Sequence, residues 1–141
     1  MEPGLKIAVV DPDEDYLGIE VCAASMRYAG SARIYAGLDE LSQFASAVEG
    51  FPTSAADHRR HEFGSSDPGI AGGFARLRFY CVDGVGHAAL EVTIEDDDVY
   101  HTPGTAKFSF RFEPGELDRF LERLRVVEIK KCGEATLHAA V

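Results

Sequence analysis

Residues Phe74–Ile94 read Phe-Ala-Arg-Leu-Arg-Phe-Tyr-Cys-Val-Asp-Gly-Val-Gly-His-Ala-Ala-Leu-Glu-Val-Thr-Ile, two alternating segments around a turn that contains glycine. If Val82 pairs with His87, every apolar residue falls on one face, and Arg78 lies opposite Glu91 on the other face. The same register sets apolar residues opposite one another: Leu77 and Val92, Phe79 and Leu90, Cys81 and Ala88. The stretch therefore predicts a β-hairpin with one buried side.

The segments around this hairpin predict further strands. Alternating apolar residues indicate strands over Leu5–Val10, Tyr16–Arg27 and Ala32–Tyr35. Lys107–Phe112 also alternates and carries three phenylalanines on one face. Glu134–Ala139 is either a last strand or a frayed end.

Two helices are predicted from apolar residues at helical spacing. The first follows Gly37, and its apolar face is Leu38, Leu41, Ala45 and Val48, with Phe44 beside it. The second begins at Pro114, a favourable first helical residue, and its apolar face is Leu117, Phe120, Leu121 and Leu124.

These elements predict a single α+β domain over residues 1–141, with a mainly antiparallel sheet and both helices packed on one of its faces. Residues 51–73 show no sustained period and are expected to form a long loop. A loop of this length is unusual in a compact domain, so it either hides a short element or forms a mobile flap.

The chain is strongly acidic, with a formal net charge of −10 over 141 residues. Residues 1–50 alone carry nine acidic and three basic side chains. Such a charge disfavours nucleic acid, whose binding depends on lysine and arginine, and favours a basic partner. No apolar run approaches the ~20 residues of a membrane helix, and the N-terminus lacks the features of a signal peptide. We therefore expect a soluble, cytoplasmic protein.

No motif predicts catalysis or a cofactor. Gly84–Ala89 matches the letters of a dinucleotide fingerprint, but a strand rather than a helix follows these glycines. Cys81 and His87 fall on opposite faces of the hairpin, which argues against a nucleophile–base pair. We expect Cys81 to be buried and unreactive.

Two further clusters could bind a partner. His58 and His61, flanked by Asp57 and Glu62, could ligate a metal ion, although two arginines between the histidines oppose a cation. The dense acidic runs are better candidates for a protein interface, and they comprise Asp11, Asp13, Glu14, Asp15, Glu95, Asp96, Asp97 and Asp98. As solvent-exposed turns, these runs could equally serve solubility alone.

Three segments occur in an order that resembles bacterial proteins of the WapI-type immunity family and a related family of unknown function. These segments are the leucine-containing helix within Tyr35–Val48, the Asp83–His87 turn and Phe110–Leu117. The resemblance covers roughly residues 16–126 and implies neutralisation of a secreted toxin, often a nuclease, by tight binding. It carries over no catalytic residue.

Three functional hypotheses follow. In the first, the protein is a non-enzymatic inhibitor whose acidic surface covers the basic surface of a toxin domain. In the second, it is an enzyme or a small-ligand- or metal-binding protein that uses the sheet face with the 51–73 loop as a lid. A third, structural role would use an exposed sheet edge to form an oligomer.

Overall fold

The computed structural model describes residues 1–67, 72–97 and 102–140. In chain order the elements are β1 (Gly4–Pro12), β2 (Leu17–Ala24), β3 (Ala29–Ala36), α1 (Glu40–Val48), β4 (Arg59–Gly64), β5 (Phe74–Cys81), β6 (Ala88–Asp96), β7 (Gly104–Phe112), α2 (Pro114–Lys130) and β8 (Gly133–His138). The expected α+β class with antiparallel strand pairing is confirmed.

The strands form two four-stranded antiparallel sheets. Sheet A has the order β3-β2-β1-β8 and sheet B the order β4-β5-β6-β7. Strand β3 contacts every strand of sheet B, and the N–H of Gly73, just before β5, donates to the Arg33 carbonyl of β3 at 2.8 Å. The two sheets therefore meet along β3. This division into two sheets was not expected from the sequence.

Both helices pack into the core that the two sheets share. Helix α2 contacts β8 and β1 of sheet A, α1 contacts β4 of sheet B, and the helices contact each other. Phe44 of α1 shows this most clearly, because its ring packs against Phe63, Phe79 and Phe120. One hydrophobic cluster thus joins both sheets and both helices.

The central hairpin has the predicted register. Arg78 pairs with Glu91, and Leu77, Phe79 and Cys81 pair with Val92, Leu90 and Ala88. The Val82 N–H donates to the His87 carbonyl at 2.9 Å and closes the turn. Gly86 in this turn has φ +85°, a conformation that favours glycine.

The expectation of one long loop over residues 51–73 is wrong, because β4 lies within it and pairs with β5. Of the two alternatives, the segment hides a short element. Its strand was missed because only Phe63 of the six residues is fully buried, so neither an apolar run nor a clear alternation marks it.

The C-terminal segment forms a strand, because Gly133–His138 pairs with β1 from Gly4 to Val9. The first helix begins three residues later than predicted, at Glu40. Leu38 therefore lies outside this helix and is exposed, whereas the rest of the predicted apolar face is buried. The second helix begins at Pro114 as predicted.

Candidate functional site

The first acidic run occupies the turn between β1 and β2. The Asp15 N–H donates to the Asp13 carboxylate at 3.0 Å, which fixes the turn. The Tyr16 hydroxyl donates to Asp11 at 3.3 Å, and the negative charge of Asp11 raises the pKa of this phenol. Asp11, Asp13, Glu14 and Asp15 are all exposed, so the turn presents its carboxylates to solvent.

The second acidic run lies where β6 ends. Glu95 pairs with Thr105 of β7, and Asp96 pairs with Gly104. Asp97 follows the strand and is exposed, whereas Asp98 lies outside the described residues. Glu95, Asp96 and Asp97 line a small cleft of about 220 Å³ together with residues 65–67 and 72–74.

Contacts at the end of β3 link the two turns that carry the acidic runs. Tyr16, beside the first run, packs edge-to-face against Tyr35 with ring centroids 5.2 Å apart. Tyr35 in turn lies against Gly72, where a Cβ atom would come within 3.0 Å of the ring. The neighbouring Gly73 lies against the Glu95 carbonyl, where a Cβ atom would approach to 2.8 Å. We call the seven described carboxylates of the two runs the acidic end.

Among the described residues, the carboxylates of the acidic end have no basic partner. Within the described ranges, none of the seven takes part in a salt bridge. Elsewhere acidic side chains are neutralised by arginines: Glu62 lies 2.6 Å from Arg76 and Glu91 lies 3.1 Å from Arg78. Negative charge is therefore left uncompensated at one place on the surface.

The two histidines proposed as metal ligands are not brought together. His58 precedes β4 and is exposed, whereas His61 packs within β4 against Phe44 and Phe63. The Nε2 atom of His61 lies 3.5 Å from the Glu40 carboxylate. In the part of the chain that the structure describes, no three side chains of His, Cys, Asp or Glu are grouped to hold a metal ion.

The hairpin cysteine and histidine also remain apart. The Nδ1 atom of His87 is hydrogen-bonded to the Asp83 carboxylate inside the turn, and this hydrogen bond lowers the pKa of the Asp83 carboxyl. The Cys81 thiol donates to the Ser54 carbonyl at 3.7 Å. Cys81 is half-buried rather than buried, so the expectation of full burial is wrong. Partial burial nevertheless raises the pKa of its thiol.

Residues before β4 are held against the end of α1, which argues against a lid. Asp57 accepts hydrogen bonds from the Thr53 N–H at 2.8 Å and from Arg59 at 2.9 Å. Arg59 also donates to the Glu49 carbonyl at 2.5 Å. The guanidinium of Arg59 and the donors of Thr53 lower the pKa of Asp57 to about 2.

Sequence reasoning missed a large open groove beside β7. It has a volume of about 1090 Å³ and is lined by residues 25–28, 107–111 and 138–140 together with Glu2 and Pro3. We call it the β7 groove. Four segments that are separate in the chain form it, so no local pattern could reveal it. Met26 and Tyr28, which line the groove, are large apolar side chains that remain exposed.

Comparison with protein-family models, curated proteins and solved structures finds no match to this chain. Among the described residues, neither helix has the length and apolar character required to cross a bilayer. The functional argument therefore depends on the chain's own surface.

Proposed function

We propose that this protein is an immunity-type inhibitor that binds and neutralises a basic bacterial toxin domain through its acidic end. The observation that carries this proposal is a set of seven carboxylates, contributed by two turns distant in sequence, that form no salt bridge with any described residue. Uncompensated charge at one place on a surface attracts a partner of opposite charge and accelerates its association.

Two aromatic side chains support this assignment. Tyr35 is 57% exposed and lies between the two acidic runs, where Tyr16 packs against it. Tyrosine is enriched at the energetic centres of protein interfaces because its ring packs while its hydroxyl hydrogen-bonds. Carboxylates near the exposed Tyr35 and the half-buried Tyr16 thus provide both charge and apolar contact area for a partner.

A nuclease toxin has the chemistry that this surface would recognise. An enzyme that binds nucleic acid presents lysine and arginine to the phosphate backbone. A protein with clustered carboxylates can occupy those side chains and block access of the substrate. Such inhibition requires no catalytic residue.

The test is co-expression of this protein with candidate basic nuclease domains encoded by neighbouring genes, with colony survival as the readout. We expect the wild type to protect and Asp96→Asn/Asp97→Asn to slow association with the purified domain by about tenfold at low salt. Asp118→Asn/Glu122→Gln is the matched control, because it removes two exposed charges from α2. Absence of protection by the wild type, or equal association rates for both variants, would contradict the proposal.

A further inference from the structure

Strand β7 leaves one backbone edge of sheet B open. It is the last strand of the sheet, and the Ala140 N–H donates to the Arg111 carbonyl at 2.7 Å. That carbonyl therefore points away from β6. Because the backbone groups of alternate residues in a strand point the same way, the N–H and C=O of Lys107 and Ser109 also face the open side. No strand of the described residues pairs with them.

The β7 groove lies along this open edge and offers an apolar floor. Phe108 and Phe110 of β7 are 8% and 7% exposed and line it. Tyr28 stacks over Phe108 with ring centroids 6.4 Å apart, and Met26 beside it is 88% exposed. Aromatic and methionine side chains of this kind adapt to apolar residues of a bound segment.

The rim of the groove is basic although the protein is acidic. Arg27, Lys107 and Arg111 line it, and Glu2 is its one acidic residue among those described. Lys107 lies close enough to Glu91 for its charge to help lower the pKa of that carboxyl, but among the described residues no carboxylate forms a salt bridge with any of the three cations. The rim of the groove is therefore positively charged.

We propose that the β7 groove binds an extended segment of a partner protein in which apolar residues alternate with aspartate or glutamate. The segment adds to sheet B as a fifth strand and pairs with the backbone of Lys107 and Ser109. Its side chains alternate between two faces. One set packs on Phe108 and Phe110, and the other lies beside Lys107 and Arg111, where carboxylates are favoured.

A second copy of this chain fits the groove less well. If two copies paired through their β7 edges, Lys107 and Arg111 of one copy would lie next to Lys107 and Arg111 of the other. Like charges on neighbouring strands destabilise a sheet, whereas an acidic segment neutralises them. The charge of the rim therefore selects the occupant. This inference does not depend on the acidic end, which binds a partner of opposite character.

The experiment uses three blocked heptapeptides as probes, measured by fluorescence anisotropy and by amide NMR spectra. The first alternates valine with glutamate, the second alternates valine with lysine, and the third has the composition of the first in unalternated order. We expect the first to bind at least tenfold more tightly than the other two, and more weakly as salt increases. It should also slow amide hydrogen exchange at Lys107 and Ser109. Equal binding of all three probes, or unchanged exchange at these amides, would overturn the proposal.

Two variants assign the binding to this edge. Ser109→Pro removes an N–H that faces the open side, where an edge strand tolerates proline, and we expect at least a tenfold loss of binding. Thr105→Pro is the matched control, since Thr105 has the same orientation in β7 but lies outside the groove. Lys107→Glu/Arg111→Glu should reverse the preference toward the lysine peptide. Unchanged affinity in the charge-reversed variant, or a concentration-dependent dimer that Ser109→Pro abolishes, would reject an acidic segment as the occupant.

Discussion

The cysteine side chains occupy three different environments, and their reactivities should differ accordingly. Cys132 is exposed, whereas Cys22 and Cys81 are half-buried. Burial and a hydrogen bond to Glu20 raise the pKa of the Cys22 thiol to about 11. Because the thiolate is the reactive species, we expect iodoacetamide at pH 8 to label Cys132 first and Cys22 at least about tenfold more slowly than in denaturant. Mass spectrometry of digested samples measures these rates, and equal labelling of Cys22 in both states would contradict the environment described.

Asp57 should make stability depend on pH in the acid range. Its hydrogen bonds with Arg59 and Thr53 lower the pKa of the carboxyl from 3.8 to about 2. A lowered folded-state pKa contributes stability that is fully present above pH ~4 and is lost as the pH falls toward 2. We therefore expect Asp57→Asn to reduce the free energy of unfolding at pH 7 and to flatten its decline between pH 4 and 2. Urea unfolding at several pH values measures how the free energy of unfolding depends on pH. If the variant shows the same pH dependence as the wild type, Asp57 is not its source.

At the scale of elements, the apolar face of α2 should hold the two sheets together. Leu121 is 4% exposed and belongs to the common core, so Leu121→Ala should lower the free energy of unfolding by roughly 2–5 kcal/mol. Ile129→Ala is the matched control, because Ile129 lies on the same helix at 81% exposure and should change stability by less than about 0.5 kcal/mol. Denaturation midpoints compare the two, and equal losses would mean that the core does not depend on this face.

Helices and strands with a clear apolar periodicity could be predicted from the sequence. Strand β4 has no such periodicity and could not be predicted. In the central hairpin, apolar residues alternate along both strands, and only one register around the glycine-containing turn places them on the same face. The structure has this register. In β4, Arg60 and Glu62 face solvent, and their contacts come from the neighbouring strand, where Arg76 lies 2.6 Å from Glu62. Its pairing depends on residues more than ten positions away, which no local period encodes.

The two candidate sites also combine features that are visible in the sequence with features that arise only on folding. The two acidic runs are visible as sequence, but their approach depends on Tyr16 and Tyr35 meeting at the end of β3. The β7 groove depends on a hairpin tip, an edge strand and the segment after β8. None of these segments forms the groove by itself, because the groove arises only where sheet A packs against sheet B.

At the scale of the whole molecule, the acidic end should oppose stability. The net charge is −10, and unpaired carboxylates repel one another in the folded state. We expect Asp96→Asn/Asp97→Asn to leave the free energy of unfolding unchanged or to raise it by up to about 1 kcal/mol at low salt. The gain should shrink in 0.5 M NaCl, where exposed charges are screened. Urea unfolding at two salt concentrations provides the measurement.

Glu91→Gln is the contrasting variant for this prediction, because Glu91 pairs with Arg78 at 3.1 Å. Its loss should cost about 1 kcal/mol, so removal of negative charge should have opposite effects on stability at the two places. A surface that lowers stability while its charge remains unpaired is typical of a binding site, where function opposes folding. If the double variant instead destabilises the protein as much as Glu91→Gln, the acidic runs serve the fold, and the proposed toxin-binding surface loses its physical basis.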